Sequence, residues 1–184
     1  NYVINSIDLL RSVPLPFPLE GSMTTAQVQT QAAPPKNLLG KIAIVTGGSR
    51  GIGAAIAARL AAQGATVFIT YARSKESAEK VAAAITLAGG KAIAVQANVA
   101  SAADNQALVA QVAKHGKIDI LVNNAGVFEG GSIEAVSIDQ YERVFDTNVR
   151  GVAVTTMAAL PQMNDGGRII NISSVAARAI APGF

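Results

Sequence analysis

The sequence predicts an α/β fold in which one parallel sheet carries helices on both faces, a doubly wound architecture. Short apolar runs recur from Lys41 onward, and each is followed by a stretch whose apolar residues fall at helical spacing. Glycine or a capping residue marks most of the joins, and the joins are short. Short links between alternating strands and helices imply right-handed crossovers and therefore parallel strands.

The first strand is Ile42–Val45, an unbroken apolar run suited to a strand covered on both faces. Ile52, Ile56 and Leu60 then recur at helical spacing, and Gly64 closes that helix. Val67–Tyr71 is the second strand. Ser74 stands where a helix cap belongs, and Ala78, Val81, Ala82 and Ile85 share one face of the helix that ends at Gly89–Gly90. The third strand, Ala92–Gln96, leads to Ser101 as the cap of a helix containing Leu108 and Val112. Ile118–Val122 is the fourth strand. Ser137 and Gln140 make a capping box for a long helix, residues 138–160, with an apolar face through Tyr141, Val144, Phe145, Val149 and Val152. Arg168–Ile172 is the fifth strand.

Residues 1–36 stand apart. Pro14, Pro16 and Pro18, then Pro34 and Pro35, oppose regular helix or central strand, and Gln27, Gln29 and Gln31 add polar low-complexity character. A flexible tail, 1–36, is therefore expected ahead of a single domain, 37–184. Met23 is a candidate native start, and Val3–Leu10 is too short and poorly flanked for a signal peptide.

Composition narrows the function classes. Half of the 184 residues are hydrophobic and 15% are charged, which excludes a disordered or coiled-coil chain. With no Cys there is neither disulfide nor thiolate metal site, and one histidine, His115, leaves no nitrogen cluster, so no metal is expected. His115 reads as a solvent-facing cap residue. The net charge of +3 comes from scattered Lys and Arg with no aromatic-lined basic stripe, so nucleic acid is not an expected partner. No apolar run approaches the roughly 18 residues that span a bilayer. A soluble, cytoplasmic chain is expected.

Thr46-Gly47-Gly48-Ser49-Arg50-Gly51-Ile52-Gly53 joins the first strand to the first helix. A helix N-terminus offers N–H groups without intrahelical partners and the positive end of a dipole, which together favour a pyrophosphate. Glycine allows the tight turn and the close approach of a ligand. The spacing is Gly-x-x-x-Gly-x-Gly, and without a Gly-Lys-Ser/Thr ending a P-loop nucleotidase is disfavoured.

Taken with this loop, Asn123-Asn124-Ala125-Gly126, the helix residue Asn148 and Ile172-Ser173-Ser174 carry a family resemblance. In this order and context, residues 38–184 resemble the short-chain dehydrogenase/reductase family, and among its subgroups the β-ketoacyl-acyl-carrier-protein reductases and trihydroxynaphthalene reductases. The resemblance implies a Rossmann-type sheet of five strands in the order 3-2-1-4-5, with further strands of the family lying beyond the fifth. It implies an oxidoreductase that interconverts a carbonyl and an alcohol on a small molecule with a nicotinamide cofactor. Gly47, Ser49, Arg50, Gly51, Ile52 and Gly53 would hold the pyrophosphate side, and Asn124, Ala125 and Gly126 the floor beside the cofactor. Asn98 would contact the adenine ring, with Val99 beside it; a plain turn role for Asn98 stays open.

A carboxylate at the end of the second strand would bind the adenosine ribose and repel a 2′-phosphate. Here that stretch reads Thr70-Tyr71-Ala72-Arg73-Ser74-Lys75, with no acid before Glu76. Arg50 and Arg73 are therefore candidate contacts to a phosphate, with two solvated surface arginines as the alternative; Ala72 and Ser74 join them as cofactor-binding candidates, and NADPH is expected over NADH.

Asn148 shares a helical face with apolar residues and should point inward, where its amide needs partners. By resemblance it holds a water in a proton relay, and Ser174 polarises the substrate carbonyl. The family also needs a Tyr-x-x-x-Lys helix, yet the ten residues after Ser174 hold neither Tyr nor Lys. The literal match Tyr71…Lys75 lies at the adenosine end and is a decoy; Tyr2 and Tyr141 have no Lys four residues later. The chain as written is thus expected to be inactive and poorly folded alone, with Ile169, Ile170 and Ile172 on an exposed edge strand. When complete, a homo-oligomer is expected through the long helix. The alternative is a non-catalytic dinucleotide-binding module; an extended-family epimerase is disfavoured by the glycine spacing.

Overall fold

The structure, a computed structural model, describes residues 36–131 and 134–174, all within the unit Pro34–Phe184. The expected tail lies outside the described residues apart from Lys36. Five strands form one parallel sheet: β1 (Ile42–Val45), β2 (Thr66–Tyr71), β3 (Lys91–Gln96), β4 (Ile118–Asn123) and β5 (Met163–Asn171). Their order is β3-β2-β1-β4-β5, as expected. The crossovers carry α1 (Gly51–Ala62), α2 (Lys75–Leu87), α3 (Ala102–Ala113) and the pair α4 (Ile138–Phe145) and α5 (Gly151–Ala159).

Successive side chains of a strand point to opposite faces, so β1 feeds two cores. Ile42 and Ile44 pack with Phe68, Leu108, Val112 and Leu121 on one side, and Ala43 and Val45 with Val67, Ile69, Ala57, Ala61 and Ile85 on the other. All four β1 residues are buried because β2 and β4 flank it and helices cover both faces.

The first helix corrects the expected phase. Ile52 is 64% exposed, and the side that meets the sheet is Gly53, Ala57 and Ala61. Small residues win this face because α1 must start close against the strand ends, and a bulkier stripe would hold it away. Ile56 and Leu60 pack only at the margin. On α2 the expected face is right, with Ala78 and Ile85 buried, but Ser74 makes no side-chain capping bond. Ser101 does cap: its hydroxyl accepts from the Asp104 N–H.

The long helix expected at 138–160 is broken by a π turn, Asp146–Arg150, between α4 and α5. The extra residue in that turn shifts the phase of everything after it. The expected apolar face is not a core face: Tyr141 and Phe145 are 50% and 46% exposed and stack on each other at 4.2 Å between ring centres. The Ser137 capping box is half formed, since Ser137 accepts from the Gln140 N–H while the Gln140 amide reaches the Glu129 carbonyl instead. The last strand starts earlier than expected. Met163 pairs opposite Ile118, the register is irregular before Ile120, and regular pairing resumes at Arg168. Ile169, Ile170 and Ile172 are partly exposed there, as expected.

At the N-terminal ends of the strands, Asp119 joins three elements. Its carboxylate accepts from the Ile42 N–H, the Lys41 ammonium and the Asn164 amide, each at 2.9 Å. Exposed His115 is not a bare cap either, because its ring packs edge-on against buried Phe68 at 5.1 Å.

Candidate functional site

The opposite, C-terminal edge of the sheet opens into a cleft of about 660 Å³, a volume suited to a cofactor-sized ligand. Of the residues expected there, Gly47, Ser49, Arg50, Ala72, Arg73, Ser74, Asn98, Val99, Asn124, Ala125 and Gly126 line it. Gly51, Ile52 and Gly53 do not; they form the first turn of α1 behind the lining.

The loop after β1 is held against the end of β4 by a network that fixes its shape. The Thr46 hydroxyl donates to the Val122 carbonyl and accepts from the Asn124 and Ala125 N–H groups at 2.9 and 3.0 Å. The Asn124 amide donates back to the carbonyls of Thr46 and Gly47. From the other side, the Gly47 N–H donates to the Thr70 hydroxyl at 3.2 Å. Two glycines are required by this contact. Gly47 has φ +63°, and a Cβ there would sit 2.8 Å from the Ala125 Cα. A Cβ on Gly53 would collide with the Asn124 amide and the Gly47 carbonyl. At these two glycines there is no room for a side chain, and the first turn of α1 carries neither an acid nor a side-chain cap. These features fit an anion such as a pyrophosphate.

Arg50, at the head of α1, and Arg73, just past the end of β2, both line the cleft, and neither enters an ion pair among the described residues. Tyr71 is buried as the last residue of β2, while Lys75 opens α2 and reaches Glu79. That pair lies across a strand end and a helix start, in keeping with its reading as a decoy.

Beyond β3, the Asn98 side chain is engaged by its own loop: its Oδ1 accepts from the Ala100 N–H at 3.1 Å. Its backbone N–H donates to Asp104. That hydrogen bond, and the one from the Ser101 hydroxyl, hold the Asp104 carboxyl below the usual aspartate range.

Asn148 corrects its expectation. It is exposed, and its amide brackets a backbone unit, accepting from the Val127 N–H and donating to the Val127 carbonyl, both at 2.8 Å. Tyr141 and Phe145, ahead of the π turn on the same expected face, are exposed as well, and the segment after β4 supplies the Asn148 partners. A Cβ on Gly126 would lie 3.4 Å from its Oδ1, so a small residue suits that approach. Ser174 lies beyond β5 and outside the cleft lining.

Sequence reasoning missed three features. Thr46 was legible in principle, as a hydroxyl ending an apolar strand. Thr70 gave less signal, since a threonine is ordinary in a strand. The pair Glu129–Arg143 had none: the guanidinium meets the carboxylate with two bonds, 3.0 and 2.8 Å, across a loop at the cleft mouth. Arg143 holds the Glu129 carboxyl below its ordinary value, and Glu129 in turn raises that of Arg143. Among the described residues no cluster of acidic or histidine side chains could hold a metal ion, and no helix is long and apolar enough to cross a membrane.

The family model for short chain dehydrogenases matches residues 41–184. An uncharacterized oxidoreductase of Methylorubrum extorquens is 53% identical over 146 residues, covering 79% of this chain and 59% of that protein. A hydroxynaphthalene reductase of Aspergillus fumigatus is 40% identical over 147 residues, covering 79% and 54%. The solved short-chain dehydrogenase/reductase of Serratia marcescens superposes with a TM-score of 0.76 at 52% identity, over 79% of this chain and 60% of that one. A short chain dehydrogenase from Burkholderia cenocepacia, solved in complex with NADP, gives 0.75 at 48% identity, over 79% and 60%. The chain thus spans a little over half the length of the relatives it matches.

Proposed function

The chain belongs to the short-chain dehydrogenase/reductase family, and from the chemistry of its cleft we propose that it serves an NADPH-dependent oxidoreductase interconverting a carbonyl and an alcohol on a small molecule. The observation that carries the cofactor choice is the pair Arg50 and Arg73 lining one cleft with no carboxylate at the end of β2. A guanidinium binds a phosphate by charge-assisted hydrogen bonds, and an acid in that place would repel it. The Burkholderia relative bound to NADP supports the same reading.

The glycine cradle and the first turn of α1 bind the pyrophosphate, with Gly47, Ser49, Gly51, Ile52 and Gly53 in the loop and helix start. Arg50 and the Ala72-Arg73-Ser74 stretch would hold the 2′-phosphate, and Asn98 and Val99 would lie beside the adenine. Asn124, Ala125 and Gly126 form the floor. When bound, the nicotinamide supplies the hydride. Asn148 keeps the Val127 backbone in place, and the Ser174 hydroxyl orients the carbonyl oxygen. The Tyr and Lys that the family uses are not among the residues following Ser174, so these 184 residues on their own bind dinucleotide without turning substrate over. The apolar stripe of Tyr141, Phe145 and Val149 supports association with a second copy in the working enzyme.

Fluorescence titration with NADPH and NADH tests the cofactor assignment. Arg50→Ala and Arg73→Ala should each weaken NADPH by about tenfold or more and leave NADH nearly unchanged. NADPH and NADH weakened alike, or neither weakened, would overturn it.

A further inference from the structure

The loop between β3 and α3 is held by two backbone bonds, Ala97 N–H to the Tyr71 carbonyl and Ser101 N–H to the Asn98 carbonyl, and by several side chains. Asn105, fully buried, donates from its amide nitrogen to the Val99 and Ser101 carbonyls at 2.7 and 2.8 Å. Between them, the Ala100 carbonyl receives a bond from farther away: the Arg150 guanidinium, fifty residues on, donates to it at 2.9 Å. Arg150 is steered toward that carbonyl by Asp146, one turn earlier on the same helix at 3.6 Å. The contact is backed by close packing, since a Cβ on Gly151 would stand 2.9 Å from a Val99 methyl.

Arg150 is two residues from Asn148, within the same π turn. Residues two apart on a helix face in different directions. Asn148 therefore holds Val127 on one wall of the cleft while Arg150 holds Ala100 on another, and both Val127 and Ala100 line it. Both contacts start from this one π turn.

We propose that Arg150 is a positioning residue for the adenosine end of the dinucleotide, fixing the loop at Asn98–Ala100 through the Ala100 carbonyl. It does not touch the ligand; it limits the movement of the wall the ligand rests on. The inference rests on the dinucleotide reading of the cleft. A merely structural role would lower stability and weaken every ligand alike, whereas a positioning role is confined to the adenosine end.

The test uses Arg150→Met and Arg150→Lys in the full-length protein, with two probes that each carry one end of the cofactor. Adenosine 2′,5′-bisphosphate carries the adenosine end, and reduced nicotinamide mononucleotide the other. Arg150→Met should weaken the bisphosphate by about fivefold to tenfold, close to the net worth of one ordinary hydrogen bond, since the lost bond reaches the ligand only through the loop. The mononucleotide should change less than about twofold, and Arg150→Lys, which keeps a donor, should recover part of the loss. A bisphosphate affinity within about twofold of wild type, or equal losses for both probes, would overturn the proposal. Wild-type protein that binds neither the bisphosphate nor NADPH would overturn the dinucleotide reading itself, and this inference with it.

Discussion

From Lys41 to Asn123 the chain builds a core; from Asn124 to Asn171 it builds mostly surface. Strands β1 and β4 bury every residue, and β2 buries five of six. By contrast α4 buries none and β5 none, and in α5 only Gly151, Thr155 and Ala159 are buried. Yet the second region also lines the cleft, through Ala125, Val127, Glu129, Arg143 and Thr147 among others. The difference lies in what holds each region. Packing holds the first, while the second relies largely on strand pairing and directed polar contacts: Asn148 to Val127, Arg143 to Glu129, Arg150 to Ala100, and the Asn123 amide to Asn171 and Thr156. Hydrogen bonds constrain direction, so a site wall can be placed accurately by few of them; packing constrains volume and supplies more of the stability.

Two phenylalanines give the sharpest contrast. Phe68 is fully buried, so Phe68→Ala should cost about 3–5 kcal/mol in urea unfolding. Phe145 is stacked on Tyr141 but half exposed, and Phe145→Ala should cost below about 1 kcal/mol in the monomer. Equal costs for the two would erase the distinction.

Asp119 is where the two regions are tied together, since its partners come from β1 and β5. Asp119→Ala leaves the Ile42 N–H without its acceptor and should cost about 1–3 kcal/mol near neutral pH. Burial raises the pKa of this carboxyl, but the bonds from the Ile42 N–H, Lys41 and Asn164, together with the Lys41 charge, outweigh it and hold the value below 3.8. The folded form then releases this proton more readily than the unfolded chain does. The stabilisation is full above the unfolded value and is lost as pH falls through the folded one. Unfolding curves for wild type and Asp119→Ala should therefore converge in acid; a gap unchanged by acid would mean that the charge is irrelevant.

The helix caps provide the smallest contrast. Ser101 and Ser137 make the same capping bond, one at the head of a packed helix and one at the head of α4. Ser101→Ala should lower global stability by about 1 kcal/mol. Ser137→Ala should speed hydrogen exchange in α4 and leave the global transition nearly unmoved, because α4 can open without disturbing the core. A global loss at Ser137 would show α4 to be part of the cooperative unit.

Much of the first region was legible from local pattern. The apolar runs place β1 to β4 to within a residue, and the glycine spacing places the tight loop after β1. A strand buried on both faces must be apolar at every position, and a left-handed turn such as that at Gly47 favours glycine, so the sequence constraint is local and strong. The second region was read less well. Regular spacing made the stretch from 138 to 160 one helix with Asn148 pointing inward; a π turn interrupts it and Asn148 is exposed, although its amide does find the partners it needs.

By its own sequence, then, this protein determines a doubly wound parallel sheet, the place of its glycine loop and its family, since each follows from residues close together in the chain or from short motifs in order. Only the tertiary structure decided that α1 turns Gly53, Ala57 and Ala61 to the sheet, that a π turn interrupts the long helix, and that Glu129–Arg143 and Arg150–Ala100 brace the cleft. The reason is physical. Periodicity reports that a helix has an apolar side, but which residues of it touch depends on how closely the neighbouring element can approach. A bond between side chains or loops far apart in sequence leaves no periodic trace, because its partners become neighbours only after the sheet has been assembled between them.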